Sequence, residues 1–247
     1  MNIVLLVALG VGGATVFGAI LGVICKDFSE KFSVYVLAFA SGIMLAASII
    51  ALILPSVELG GKYGVIITVL GIFAGAVCLN IIDKTLMRLD KFSKNRSGAS
   101  ADPKGVILFV SAIAVHNLPE GLATGVGFGA GDVSAALLIA GGIALQNIPE
   151  GMVIISPLLS LGIKPRVAFI IAALTGVVEV VGTMIGYFAI SLSSAILPFT
   201  LAFAGGTMLY IISGEIIPDV CSHSSKNKVA YSILAGFAFM MIFDALI

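Results

Sequence analysis

Long apolar runs with little or no charge follow one another along the whole chain and are separated by short polar stretches. A helix needs about 20 apolar residues to cross a bilayer, and each run is close to that length. The pattern therefore predicts an all-α integral membrane protein with eight transmembrane helices. The runs that we assign to these helices are 3–24, 33–54, 65–82, 106–129, 133–161, 167–190, 196–217 and 229–247.

The composition strengthens the membrane assignment. Hydrophobic residues make up 60% and charged residues 11% of the 247 residues, and the mean hydropathy is +1.19, whereas soluble domains carry roughly 25% charged residues. We therefore interpret residues 1–247 as a single polytopic transmembrane domain. The net charge is zero, which argues against nucleic-acid binding. The three cysteines, an odd number, predict no disulfide framework.

The basic residues indicate which side of the membrane each loop faces. With eight spans, all 13 Lys and Arg residues except Lys62 fall in odd-numbered loops. Lys and Arg accumulate on the cytosolic side of membrane proteins. We therefore expect a multi-pass protein of the plasma membrane, with both termini outside the cytosol and a polar cytosolic loop at about 83–105.

Two segments of the chain resemble each other. Phe-Ala-Ser-Gly-Ile-Met-Leu at 39–45 matches Phe-Ala-Gly-Gly-Thr-Met-Leu at 203–209, and a proline follows each segment, at Pro55 and Pro218. The loop count gives the two helices opposite directions, as in the inverted repeats of many transporters. We expect an inverted repeat of helices 1–3 and 6–8 around a hairpin of helices 4 and 5, although helices rich in small residues also look alike by chance.

Pairs of glycines four residues apart recur in three of the predicted helices. Such pairs let the backbones of neighbouring transmembrane helices approach closely, so we expect tight helix packing at these points. The pairs are Gly18 and Gly22, Gly71 and Gly75, and Gly182 and Gly186.

The most specific signal is a pair of hexapeptides in helices 4 and 5. His-Asn-Leu-Pro-Glu-Gly at 116–121 and Gln-Asn-Ile-Pro-Glu-Gly at 146–151 share one pattern and lie thirty residues apart. Residues three and four apart lie on one helix face, so each hexapeptide presents a polar stripe that includes a carboxylate. The prolines free backbone carbonyls, which a membrane helix tolerates where it is buried or lines a cavity.

A third acid, Glu179, lies near the middle of helix 6, and no Lys or Arg falls within any predicted span. Intramembrane carboxylates without a basic partner are costly, so Glu120, Glu150 and Glu179 are either protonated or hold a metal. Imidazole and oxygen ligands together suit first-row divalent metals such as Zn, Fe, Mn or Co. A proton site or an interhelical hydrogen bond is the alternative for a lone buried glutamate, and a packed core residue is the alternative for a lone histidine.

These hexapeptides, eight spans and a long loop between helices 3 and 4 resemble the ZIP (Zrt/Irt-like protein) family of divalent-metal transporters, in particular its bacterial GufA-type branch. The resemblance covers the whole chain. It implies that the protein transports Zn²⁺ into the cytosol, and that Cd²⁺, Fe²⁺ and Mn²⁺ are further transported ions. It implies no enzymatic activity, no prosthetic group, and movement of helices 1, 4, 5 and 6 against helices 2, 3, 7 and 8. The metal site that it implies consists of His116, Asn117, Glu120, Gln146, Asn147, Glu150 and Glu179.

The second hexapeptide departs from the pattern of some relatives. Many eukaryotic members of the family carry a second histidine there, and some relatives have aspartate at the position of Asn147. Because Gln146 and Asn147 are neutral, we expect a second metal ion to bind more weakly here.

Polar residues near the predicted helix ends suggest a path by which the ion enters and leaves. Outer acids would gather cations and inner ones would receive them, whereas the alternative is that these charges face water. For a methionine in a span, apolar packing is the alternative to a soft ligand. The candidates are Met44, Asp83, Asp132, Glu215, Asp219, Cys221, His223 and Asp244.

Three other functions compete with metal transport. A proton-coupled carrier would use the glutamates only as proton relays. An intramembrane metalloprotease would need two histidines around a glutamate on one helix turn, and no second histidine follows His116. A metal sensor would need a sizeable soluble domain. The expected partners are divalent metal ions and the lipid bilayer, and the sequence leaves open whether two copies pair as a homodimer.

Overall fold

The computed structural model describes residues 2–24, 30–94, 103–131, 133–160 and 162–246. All regular structure among these residues is helical, as the hydropathy pattern predicts. We label the segments α1 (Asn2–Ile24), α2 (Glu30–Ala47 with its continuation to Leu59), α3 (Gly64–Lys94), α4 (Pro103–Gly129), α5 (Val133–Ser160), α6 (Pro165–Leu192), α7 (Leu197–Ile211 with its continuation to His223) and α8 (Lys226–Leu246).

Seven of these segments are long and apolar enough to cross a membrane, judged by length and composition over the described residues. The fourth segment, α4, has 27 residues but is not among the seven, so the count of eight membrane spans stays a prediction. The seven spans are Asn2–Ile24, Lys31–Leu59, Gly61–Ile82, Val133–Leu159, Pro165–Ser191, Leu197–His223 and Lys226–Leu246.

Helix α3 continues well past the apolar run that predicts it. The run ends at position 82, but the helix extends to Lys94, so residues 83–94 are helical and not part of a loop. Hydropathy marks only the part of a helix that lies inside the bilayer. A polar continuation of the same helix is therefore invisible to it.

Both α2 and α7 contain a π-helical stretch shortly before a proline. The stretch is Ser48–Ile53 in α2, before Pro55, and Ile212–Ile216 in α7, before Pro218. A proline removes one backbone donor and displaces the carbonyl four residues earlier, and a local π adjustment is one way in which membrane helices satisfy the freed groups. Both helices thereby continue beyond their predicted ends at positions 54 and 217.

Helix packing divides the described helices into two groups. Helix α4 packs along α6, and α1 packs on both α5 and α6. Helix α3 packs along α7, and α2 packs along α8. We call α1, α4, α5 and α6 the first bundle, and α2, α3, α7 and α8 the second bundle. The two bundles meet chiefly where α2 lies against α5 and α4 lies against α7.

Glycines set the helix spacing within each bundle. A Cβ atom built on Gly18 would lie 2.1 Å from the carbonyl oxygen of Ile148, and one on Gly182 would lie 2.7 Å from that of Leu118. The other four glycines of the predicted pairs also come within 2.3–2.6 Å of a neighbouring helix by the same construction. The helix backbones are thus in direct contact, and the prediction of close packing at the glycine pairs is confirmed.

Contacts between the bundles have a different character where α5 faces α8. A Cβ on Gly141 would meet the ring of Phe243 at 2.7 Å, and one on Gly142 would meet the terminal methyl of Met240 at 2.6 Å. Both neighbours are the far ends of side chains, which rotate more readily than a backbone moves. This part of the boundary between the bundles is therefore more adjustable than the packing inside them.

Candidate metal site

Polar side chains from α4, α5 and α6 meet inside the first bundle. Both hexapeptides lie within unbroken helices, with Pro119 inside α4 and Pro149 inside α5. Polar groups that are fully buried need hydrogen-bond partners or a ligand. The residues concerned are each at most 1% exposed: Asn117, Glu120, Gln146, Asn147 and Glu179.

Glu179 of α6 accepts hydrogen bonds from three other helices. Its Oε1 accepts from Thr15 Oγ1 of α1 at 2.6 Å and from Asn117 Nδ2 of α4 at 2.5 Å. Its Oε2 accepts from Asn147 Nδ2 of α5 at 2.6 Å. Hydrogen bonds with a carboxylate acceptor are among the strongest in proteins. Glu179 therefore ties the four helices of the first bundle together at one buried point.

The two oxygens of Glu120, in α4, differ in their surroundings. Oε1 accepts a hydrogen bond from Gln146 Nε2 of α5 at 2.6 Å. Oε2 has no hydrogen-bond partner within the described part of the chain. One oxygen of this buried carboxylate thus links α4 to α5, while the lone pairs of the other remain available to a ligand.

Three buried amide oxygens, like Glu120 Oε2, have no hydrogen-bond partner among the described residues. The amide nitrogens of Asn117, Gln146 and Asn147 donate to glutamate oxygens, so each amide oxygen points away from its glutamate. Among the described residues, none of these three amide oxygens has a hydrogen-bond partner. An unpaired buried polar group costs about 1–3 kcal/mol, and carboxylate and amide oxygens are ligands for divalent cations. These four buried oxygens of α4 and α5 are therefore candidates to bind a cation.

The glycine that ends each hexapeptide brings one more helix to the site. A Cβ atom on Gly121 would lie 2.2 Å from the backbone oxygen of Glu179, and one on Gly151 would lie 2.2 Å from that of Thr15. Only glycine permits such close approach of two backbones. The first hexapeptide therefore packs directly against α6, the helix that carries Glu179. The second packs directly against α1, the helix that carries Thr15, whose hydroxyl donates to Glu179.

Comparison with known proteins shows the family to which the chain belongs. A model of the family described as ZIP zinc transporter matches residues 90–244, which contain both hexapeptides and Glu179. The chain belongs to the ZIP family. It is 33% identical over 246 residues to the zinc transporter GufA of Myxococcus xanthus, with 97% of each chain covered. It is 33% identical over 251 residues to the zinc transporter ZupT of Chlorobaculum parvum, with 94% of this chain and 92% of the relative covered. It is 30% identical over 243 residues to the zinc transporter ZIPB of Bordetella bronchiseptica, with 94% of this chain and 77% of the relative covered.

Membership of the ZIP family confirms the resemblance inferred from the two hexapeptides. Together with the seven apolar helices, it shows a multi-pass membrane protein. The relatives are named as transporters and not as enzymes. The intramembrane protease alternative is thereby set aside.

Two predicted ligands of this ZIP site are less defined than the others. Glu150 is partly buried and interacts with other residues of the chain, and the side chain of His116 lies outside the described residues. Among the described side chains, no three His, Cys, Asp or Glu residues lie close enough together to hold a metal. The full ligand set therefore stays a prediction.

The residues predicted to line an ion path lie in varied surroundings. Met44 is 2% exposed and packs in the apolar core, in agreement with the alternative of apolar packing. His223 Nδ1 lies 3.4 Å from Asp219 Oδ1 near the end of α7, and the two side chains are 47% and 57% exposed. The roles of these and the remaining candidates stay predictions: Glu215, Cys221 and Asp244 are partly buried, while Asp132 and the side chain of Asp83 lie outside the described residues.

Sequence reasoning missed Thr15, which is 1% exposed and donates to Glu179. A threonine in an apolar run carries no charge, so hydropathy does not mark it as costly. One signal was available, because segments 39–45 and 203–209 are related by the same separation of 164 positions that relates Thr15 to Glu179. In the repeat predicted from those segments, Thr15 occupies the position that corresponds to Glu179.

Proposed function

We propose that this chain carries Zn²⁺, or a similar divalent metal ion, across the membrane into the cytosol through a site formed by α4, α5 and α6. The observation that carries the proposal is the set of four buried oxygens without partners, on Asn117, Glu120, Gln146 and Asn147. A cation bound among these oxygens would supply the partner that the protein itself does not. The names of the relatives, which are zinc transporters, support zinc as the ion.

The proposed ligand set adds His116, Glu150 and Glu179 to these oxygens. Zinc binds imidazole nitrogen and carboxylate oxygen at about 2.0–2.2 Å, and such mixed sites also suit Fe²⁺ and Mn²⁺. An ion that is carried must bind well enough to enter the site and weakly enough to leave it. In this proposal α4, with His116, supplies the stronger half of the site, and α5, with its neutral Gln146, supplies the half that lets the ion leave.

We further propose eight membrane spans with an inverted repeat of α1–α3 and α6–α8 around α4 and α5. Helix contacts support this arrangement. Gly18 of α1 packs against α5, and Gly182 of α6 packs against α4. Gly18 and Gly182 are 164 positions apart in the chain, which is also the separation between Thr15 and Glu179. Gly12 and Gly176 share that separation and pack against each other: a Cβ built on Gly12 would lie 2.4 Å from the backbone oxygen of Gly176, and one built on Gly176 would lie 2.5 Å from that of Gly12. Such reciprocal contacts are expected of residues beside a two-fold axis.

The proposed transport step is a movement of the first bundle against the second. Every described residue of the site belongs to the first bundle, whose helices touch backbone to backbone, so the site moves as one unit. Where α5 faces α8 across the boundary, the glycines meet only the ends of Phe243 and Met240. Sliding there requires rotation of side chains and not separation of backbones. The proposal retains the plasma membrane as the location, with both termini outside the cytosol.

Uptake of metal into proteoliposomes tests the proposed function. Zn²⁺ uptake by the wild-type protein should be inhibited by Cd²⁺, Fe²⁺ and Mn²⁺, and we expect Glu120→Ala and Glu150→Ala each to abolish it. Glu58→Ala is the matched control, because Glu58 is an exposed acid at the end of α2 and its removal should leave uptake unchanged.

Two results would contradict the proposal. Normal uptake by both site variants would show that the ion passes elsewhere. Flux of another substrate that does not require metal, measured at two pH values, would favour a proton-coupled carrier.

A further inference from the structure

The second bundle meets the first through α2 and α7, and these two helices also contain the π-helical stretches. The main part of α2, Glu30–Ala47, packs along α5, and the main part of α7, Leu197–Ile211, packs along α4. The other two helices of the second bundle, α3 and α8, are regular α-helices over their described lengths. Irregular backbone in this bundle thus coincides with contact to the bundle that carries the candidate site.

Each π-helical stretch divides its helix into a main part and a short end segment. The end segments are Leu54–Leu59 of α2 and Ile217–His223 of α7. In both helices the first backbone N–H of the end segment bonds to a carbonyl five residues earlier, and not four as in an α-helix. The next residue, Pro55 or Pro218, has no N–H to donate. Because π turns and prolines are the usual causes of helix kinks, each helix bends most readily between its two parts.

The two π-helical stretches begin at equivalent positions of the proposed repeat. Their first residues, Ser48 and Ile212, are 164 positions apart, which is also the separation between segments 39–45 and 203–209. An irregularity that recurs at equivalent positions is a feature of the repeat and not an accident of one helix. Single π turns within α-helices are frequently found at functional sites, so a role in the transport movement deserves a test.

Hydroxyl groups hold the end segment of α2 to its own bundle. Ser56 is fully buried, and its Oγ donates to the backbone oxygen of Pro198, at the start of α7, at 2.6 Å. The same Oγ lies 2.7 Å from Thr68 Oγ1 of α3. Because a hydroxyl has a single hydrogen, Thr68 is the donor in this second bond. The end segment is therefore fixed to both α3 and α7.

The end of α7 is held in a corresponding way at the start of α2. Ser224, the residue that follows the end segment, donates from Oγ to Tyr35 Oη at 2.9 Å, and the segment itself packs along the main part of α2. Each helix thus has its end fixed near the start of the other. The main part of each helix, on the far side of the π-helical stretch, faces the first bundle.

We propose, on the basis of the bundle movement proposed above, that α2 and α7 bend at their π-helical stretches during transport. The main parts adjust to the first bundle as it moves, so the contacts of α2 with α5 and of α7 with α4 are kept. The end segments stay fixed to the second bundle through Ser56 and Ser224. The second bundle is then not one rigid frame, because two of its helices change shape in every transport cycle.

Removal of the π-helical stretch in α2 tests the bending. Deletion of Ile50 together with Pro55→Ala takes out the extra residue of the π turn, so α2 becomes one continuous α-helix with its faces in register. Zn²⁺ uptake into proteoliposomes should fall about tenfold, the rate equivalent of the one or two hydrogen bonds that an unbroken helix must open to bend. Zinc affinity in titration should equal that of the wild type, because the candidate site belongs to the first bundle. Pro55→Ala alone is the matched control and should retain uptake, since it keeps the extra residue.

A covalent bond at Ser56 tests whether the end segment stays fixed. Ser56→Cys and Thr68→Cys, in a chain whose three native cysteines are replaced by alanine, put two thiols where hydroxyl oxygens now lie 2.7 Å apart. A disulfide requires its two side chains to lie this close together. Uptake by the oxidised protein should equal uptake after reduction, with disulfide formation verified by mass spectrometry.

Two outcomes would overturn the inference. One is uptake at the wild-type rate by the shortened variant, and the other is loss of uptake on oxidation that reduction restores. If the shortened variant does not insert, Gly205→Ala takes its place, because its Cβ would lie 2.9 Å from Ile53 Cγ1 of the π-helical stretch. Its uptake should be slower than that of Gly13→Ala, whose Cβ meets no atom within 4 Å, and equal rates would overturn the inference. Failure of the wild type to take up any divalent metal would instead reject the proposed function, so the two failures are distinguishable.

Discussion

Replacing Gly121 by alanine tests whether the glycine of the first hexapeptide sets the geometry of the site. The added Cβ would lie 2.2 Å from the backbone oxygen of Glu179, whereas close carbon–oxygen contacts begin at about 3.3 Å. Helices α4 and α6 must therefore separate locally by about 1 Å. The hydrogen bond from Asn117 to Glu179, now 2.5 Å, would then lengthen beyond the limit of about 3.2 Å for such bonds.

The substitution also affects the stability of the protein. Overpacking typically costs about 1–3 kcal/mol, but alanine is more favourable than glycine in a helix by about 1 kcal/mol. The net destabilisation is therefore about 0–2 kcal/mol, and we expect Gly121→Ala to fold. Its zinc affinity should fall by about tenfold or more, because an amide ligand loses the partner that orients it.

The assay is Zn²⁺ uptake into proteoliposomes as a function of zinc concentration, normalised to the amount of inserted protein. The matched control is Gly13→Ala, because a Cβ on Gly13 meets no atom within 4 Å and the substitution has the same effect on helix propensity. Gly121→Ala should show a raised KM, and Gly13→Ala should behave as the wild type. Equal KM values for the two variants would refute the argument that the hexapeptide glycine places Glu179.

Four further substitutions separate the site from its surroundings. Gln146→Leu removes both the donor to Glu120 and one oxygen without a partner, so we expect a loss of zinc affinity of at least tenfold, measured by titration. His116→Ala should lower zinc affinity or change the preference between Zn²⁺ and Mn²⁺ in the same titration. Ser56→Ala removes a hydroxyl that bonds at 2.7 and 2.6 Å to two neighbours; it should lower thermal stability by about 1 kcal/mol and leave zinc affinity unchanged. Asp219→Asn alters an exposed pair worth at most about 1 kcal/mol, so uptake should remain close to that of the wild type.

Much of the fold can be predicted because the bilayer imposes one strong constraint on the sequence. Apolar length alone marks the seven spans that the structure bears out. It does not mark the continuation of α3 to Lys94, because residues outside the bilayer need not be apolar. It also misses the π-helical stretches Ser48–Ile53 and Ile212–Ile216, since the choice between two backbone hydrogen-bond patterns leaves no trace in hydropathy.

For the candidate site, too, some features can be predicted from the sequence and others cannot. Glu120 and Glu179 stand out in the sequence because a buried carboxylate without a basic partner is costly. The direction in which each amide points is not encoded in the hexapeptide itself. It depends on which carboxylate the amide meets, and Asn117 and Asn147 meet Glu179 from a different helix. Thr15 is part of the same network, and only its three-dimensional position reveals it.

The most direct test of the proposed function is to locate the ion. Anomalous scattering at the zinc absorption edge, from crystals of the full-length protein grown with Zn²⁺, places bound zinc without assumptions about its ligands. We expect one strong peak within about 2.0–2.2 Å of Glu120 Oε2, on the side where the amide oxygens of Asn117, Gln146 and Asn147 have no partner. Zinc bound only at surface positions such as Asp219 and His223, with no peak at Glu120, would contradict the claim that these buried oxygens hold the transported ion.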